Sequence, residues 1–252
     1  VQYSQDVKNG IILSFLAAII VHIIYIVGAR MIGKVYTLNG VEKATIIYTN
    51  AGNLIIPLVQ ALLGKEWVVY TTGYILVSTV FIWTHGRMLI CEETGFNGKE
   101  LLKNVNVIAS IIGILMFALK IQLPSLIIET MDSMSATIAP ICMIVAGMLI
   151  AGMDVKDCLK KNRLYVITFL KMIIFPLFAV VLFKFTNLSS MAKNGDMILL
   201  ISLLASVAPT AASVTQIAQI YDADSEYASA YYFITTLLCI LTMPFFVWIY
   251  QY

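Results

Sequence analysis

In the stretch YTNAGNLIIPLVQALLG, Thr49, Asn50, Gly52 and Asn53 precede Pro57, inside a chain that is otherwise apolar. Side-chain amides both donate and accept hydrogen bonds. Proline withholds its own N–H, so the carbonyl of Asn53 loses its helical donor, and Gly52 admits conformations that other residues avoid. Such a set suits ligand binding rather than acid–base or nucleophilic chemistry. A second stretch has the same character: in LASVAPTAASVTQIAQIYDAD, Pro209 frees the carbonyl of Ala205, and Thr210, Ser213, Thr215 and Gln216 follow. Non-helical backbone at membrane depth is tolerated only where it is buried in protein or lines a wet cavity. Two interrupted helices in corresponding halves of a chain are the best sequence pointer to a transporter's binding site. The third candidate is Lys171, roughly 11 Å into an apolar run at the helical rise. An intramembrane cation is a functional candidate by default. Its readings are snorkelling of the stem to the interface, attraction of an anion, or a tie to carbonyls of the interrupted helices.

The elements that must position these residues are membrane helices. Hydrophobic residues make up 60% and charged residues 12% of the chain, and mean hydropathy is +0.91; soluble domains carry about twice that charged fraction. Runs of ~20 apolar residues span a bilayer. On that template spans are expected over 11–32, 45–63, 67–88, 105–119, 138–153, 164–185, 197–220 and 228–250, with SLIIETMDSMSA reading as an amphipathic connector at the interface. The polar run 91–104 is the longest connection and the natural midpoint. The expected organisation is 1–96 as the remainder of an N-terminal repeat containing the first broken helix (45–63), and 97–252 as a C-terminal repeat containing the second (197–220).

Several function classes are excluded by what is missing. The Asp and Glu residues fall in loops or at span edges, against an intramembrane aspartyl protease or a buried carboxylate relay. No H-E-x-x-H, G-x-S-x-G or P-loop pattern occurs, so no catalytic role is expected. The net charge of +2 and the scattered basic residues give no nucleic-acid footprint, and the four cysteines form no C-x-x-C pair. With eight alternating spans, the loops on one side hold ten of the sixteen Lys and Arg residues and those on the other five. The richer side, which includes Arg30, Lys43 and the 91–104 connection, is expected to be cytoplasmic. His22 reads as a packing histidine bonded to a neighbour. In DADSE, Asp224 or Ser225 reads as a helix cap with Glu226 in the first turn.

These residues resemble the auxin efflux carrier family, which includes plant auxin exporters and bacterial malonate and malate permeases. TNAGNLIIPL is similar to that family's first crossover motif at Asn50, Gly52, Asn53 and Pro57, and APTAASVTQIAQIYDAD to the second at Pro209, Thr210, Ala211, Ala218, Tyr221 and Asp224. SATIAPICMIVAGMLIA matches through Pro140 and Gly147, and FLKMIIFP through Lys171 and Pro176. Two positions depart from the pattern: Ile55 replaces a glycine and Ser213 an amide.

The resemblance implies an all-α integral membrane fold, an inverted-repeat bundle with two crossing broken helices. About eight of an expected ten spans are present, because the aligned motifs make this chain's spans numbers three to ten. It implies a multi-pass protein of the plasma or inner membrane that moves small organic anions such as carboxylates by alternating access, with a homodimer formed through scaffold helices. The residues expected to contact substrate or ion are Thr49, Asn50, Asn53, Pro57, Pro209, Thr210, Ser213, Thr215, Gln216 and Lys171. No cofactor is expected, and Na⁺ or H⁺ remains open as the coupling ion. The rival readings are a sodium-coupled symporter of the bile-acid type and a non-transporting membrane sensor or scaffold.

Overall fold

The computed structural model describes residues 5–92, 105–119, 121–151 and 160–252. Among them the chain is helical, with no strand beyond one isolated bridge. The helices are α1 (Gln5–Tyr36), α2 (Gly40–Ile47), α3 (Ala51–Leu62), α4 (Lys65–Ile90), α5 (Val105–Ala118), α6 (Ser125–Ala151), α7 (Asn162–Phe185), α8 (Gly195–Val207), α9 (Ala212–Ile220) and α10 (Ser225–Gln251). Four of them, α1, α4, α7 and α10, are long and apolar enough to cross a membrane. Most of the 91–104 connection and the expected repeat boundary lie outside the described residues. SLIIETMDSMSA is a correction: it belongs to one continuous helix, α6, rather than to a separate connector.

Burial along α1 shows how it sits. Leu13, Ala17, Val21, Tyr25 and Ala29 recur every four residues and are buried, which places them on one face. Ile12, Ile19, Ile23 and Val27 occupy the opposite face and are exposed; an apolar face of that length suits lipid rather than water. On the buried side α1 packs against α4 and α8. The α1–α4 crossing is close, because a Cβ added at Gly73 would collide with Ser14 and the Phe15 backbone. Small residues allow such approach between membrane helices.

The short helix α2 is set by its ends. Asn39 Oδ1 accepts from the Glu42 N–H (2.8 Å) and Glu42 Oε2 accepts from the Asn39 N–H (2.9 Å), a reciprocal capping box. The Glu42 side chain is fully buried. Arg163, at the start of α7, neutralises it through Nε and Nη2, and the same Nη2 donates to Thr37 O at 2.7 Å. One guanidinium therefore joins the α1 end, the α2 cap and α7. Asp224 caps α10 by accepting from the Tyr227 N–H at 2.9 Å, as its sequence position suggests.

Arg163→Met leaves a buried carboxylate with only its backbone donor. A loss of about 1–3 kcal/mol is expected, read as a lowered Tm in detergent. The double variant with Glu42→Gln recovers part of that loss, because no charge then remains buried.

Candidate functional site

Both polar stretches are interrupted, and the interruptions meet. The backbone leaves helical geometry at Tyr48 (φ −97°, ψ 131°) and again at Ala208 and Ala211. Thr49 and Thr210 face one another as an antiparallel bridge. It is flanked by Asn50 N–H donating to Pro209 O (2.7 Å) and Ala211 N–H donating to Tyr48 O (3.1 Å). Each break thus supplies the partners that the other lost. Thr210 N–H donates to Thr235 Oγ1 on α10 at 3.1 Å, and that hydroxyl donates to Tyr231 O at 2.7 Å.

The first break is not where Pro57 points. α3 runs unbroken through Pro57, which is exposed, so one hydrogen bond is lost within the helix rather than at its end. Chain direction changes instead at Tyr48–Asn50, where the backbone pairs with another segment. The second break falls at Pro209 as expected. At 1.5 Å per residue, α2 is roughly 12 Å long and α9 roughly 14 Å. The two half-helices that flank the breaks are therefore of similar length.

The helix ends converging here are polar. Asn50 is the N-cap of α3, but its side-chain amide makes no capping bond and is half-buried. Asn53 is half-buried in the first turn of α3; Ser213 and Gln216 are half-buried in the first turns of α9. Pro209 is buried in the break itself. The hydroxyls of Thr210 and Thr215 are buried with no hydrogen-bond partner, while that of Thr49 lies beside the Tyr74 hydroxyl, outside hydrogen-bond geometry. Helix N-termini carry partial positive charge, so the starts of α3 and α9, with an uncommitted amide and unpaired hydroxyls, form a surface for an anion or a polar group. Pro57 lies nearly two turns further along α3 and is exposed.

Two π-turns aim basic side chains at the end of α2. In α4 the turn Ile82–Gly86 presents His85, whose Nδ1 is 2.8 Å from the Tyr48 hydroxyl. In α7 the turn Leu170–Ile174 presents Lys171, which is fully buried and donates from Nζ to Ile46 O at 3.1 Å, with the Tyr25 ring centroid 5.9 Å away. Snorkelling is thereby excluded: the ammonium ties down a carbonyl at the C-terminus of α2, where a cation complements the helix dipole. His22 donates from Nδ1 to Ala18 O (2.8 Å) and packs against Tyr74 and Phe81. Tyr48, His85 and Thr235 were not among the residues expected from sequence. A proline announces a break, but nothing local announces the side chains that support it from other helices.

A family model described as membrane transport protein matches residues 89–247, well over half of the chain. No curated protein matches it.

Thr235→Val removes the acceptor that the Thr210 N–H uses at the second break. An unpaired buried N–H costs about 1–3 kcal/mol, so Tm in detergent should fall by that equivalent. Thr235→Ser keeps the oxygen and should fall by clearly less.

Proposed function

Because the chain belongs to the auxin efflux carrier family of membrane transport proteins, we propose that it is a secondary transporter of small organic anions, carboxylates first among them. The observation that carries this reading is the pairing of the two breaks through Thr49 and Thr210, which brings the N-termini of α3 and α9 together with the unused amide of Asn50. A carboxylate held there accepts from backbone N–H groups and from the Asn50 amide, with Ser213 and Gln216 as further donors. In this reading α2/α3 and α8/α9 each count as one broken span of two inverted repeats, crossing at the site, and the site is exposed alternately to the two faces of a cell membrane. Lys171 acts by fixing the end of α2 rather than by touching the anion.

The unpartnered hydroxyls of Thr210 and Thr215, with that of Thr49 nearby, favour a second reading of the same site. Hydroxyl and carbonyl oxygens suit Na⁺, which would make the protein a sodium-coupled symporter.

Uptake of labelled malonate, malate and benzoate into proteoliposomes tests both readings. Accumulation of at least one is expected, with loss of its binding in Asn50→Leu at unchanged Tm; transport of none of them overturns the anion reading. Accumulation that requires a sodium gradient selects the symporter. Lys171→Met should cut uptake at least tenfold at matched expression, with Tm little changed because the cost of a buried charge disappears with the bond. Lys171→Arg should keep part of the activity, since its charge remains although its donor geometry differs. Full activity in Lys171→Met removes the tie to Ile46 from the mechanism.

A further inference from the structure

A cavity of about 300 Å³ lies between α1, α2 and α4, apart from the half-helix N-termini described above. Its basic lining is Arg30, Lys43 and His85, its apolar walls include Ile26, Ile47 and Met88, and among the described residues no carboxylate lines it. Among the described residues neither Arg30 nor Lys43 has an ion-pair or hydrogen-bond partner. Glu42, the acidic neighbour of Lys43, is engaged by Arg163 and by the Asn39 N–H. Lys43 reaches the cavity by laying its stem across α1 at Gly33, where an added Cβ would sit 2.8 Å from Lys43 Cε. The cavity also adjoins the first break, since Ile47 precedes Tyr48 and His85 contacts the Tyr48 hydroxyl at 2.8 Å.

Arg30, exposed at the rim, half-buried Lys43 and an imidazole, with no counter-charge among the described residues, give this space a positive potential. The walls then select among anions. A small, fully hydrated inorganic anion gains nothing from Ile26, Ile47 and Met88, whereas an organic anion gains from burying its apolar part there. The volume is at the small end for ligand pockets, which suits one ring or a short branched chain bearing one carboxylate.

We propose that this cavity is a second anion site, a vestibule in which Arg30, Lys43 and His85 hold the carboxylate of a small organic anion while its apolar body rests on Ile26, Ile47 and Met88. The proposal rests on the anion reading of the paired breaks and adds a place beside them where the anion is held before or after the break. Passage between the two follows the His85–Tyr48 contact, which borders both.

The test is thermal stability of the purified chain in detergent, titrated at constant ionic strength with benzoate and with benzamide, its neutral isostere. Benzoate should raise Tm and benzamide should not. The Arg30→Gln/Lys43→Gln variant should weaken the apparent benzoate affinity at least tenfold. Met88→Trp, which fills the cavity without changing charge, should do the same, and both should match the parent's Tm without ligand. Absence of a benzoate effect, an equal effect of benzamide, or full benzoate affinity in both variants overturns the vestibule, even for a protein that transports carboxylates. Benzoate binding lost in both variants of a protein that moves no carboxylate keeps the vestibule and removes the transport reading.

Discussion

A backbone within a bilayer has no water to bond, so every N–H and C=O must find a protein partner or cost several kcal/mol. An interrupted membrane helix therefore needs something to meet its break, and here each break meets the other. Tyr48–Asn50 and Pro209–Ala211 exchange two hydrogen bonds around the Thr49–Thr210 bridge. Neither segment could keep this conformation against lipid alone, and the convergence of four helix ends follows from their pairing. The proposed anion site is a by-product of the same constraint. Bringing two broken helices together sets two positive N-termini side by side, next to groups the backbone did not use.

The helix α2 shows how the rest of the structure serves that pairing. At eight residues it is too short to be stable by propensity, yet it carries the first break at its end. Its N-terminus is fixed by the Asn39–Glu42 box and by Arg163. Its C-terminus is fixed by Lys171 on Ile46 O and by the Tyr48 hydroxyl beside His85. Both of these last contacts originate in π-turns, where one extra residue per turn re-aims a side chain; such turns recur at functional sites in helices. Arg163 and Lys171 lie on one helix, α7, so α2 and α7 are joined at two levels.

How much of this was legible in the sequence depends on the range of the interaction. The helical character, the longest spans and the Asp224 cap follow from local composition and spacing, and so does the second break, because Pro209 lies inside it. The first break follows only in its neighbourhood: the interruption lies at Tyr48–Asn50, the leading edge of the stretch that ends in Pro57, and it is made there by a partner far along the chain. Lys171 is conspicuous as an intramembrane cation, while its acceptor is a backbone carbonyl with no sequence signature. The π-turns leave no compositional trace. Asn39 and Glu42 do spell a capping box, which would have placed the start of α2; nothing nearby spells Arg163. The apolar run after SLIIETMDSMSA was legible as helix, but its continuity with the polar part was not, since amphipathic and spanning segments can share one helix.

The pairing of the breaks is the claim on which the rest stands, and a disulfide tests it directly. Thr49 and Thr210 form the bridge position whose flanking residues carry the hydrogen bonds, the geometry in which facing Cα atoms are about 4.5 Å apart and within reach of a disulfide. In a chain freed of its own cysteines, Thr49→Cys/Thr210→Cys should oxidise to an intramolecular disulfide under mild oxidant in membranes, detected by intact mass and by reversal with reductant. The single variants should not. Two cysteines that both remain free and alkylatable under the same conditions would contradict the pairing, and with it the proposed site.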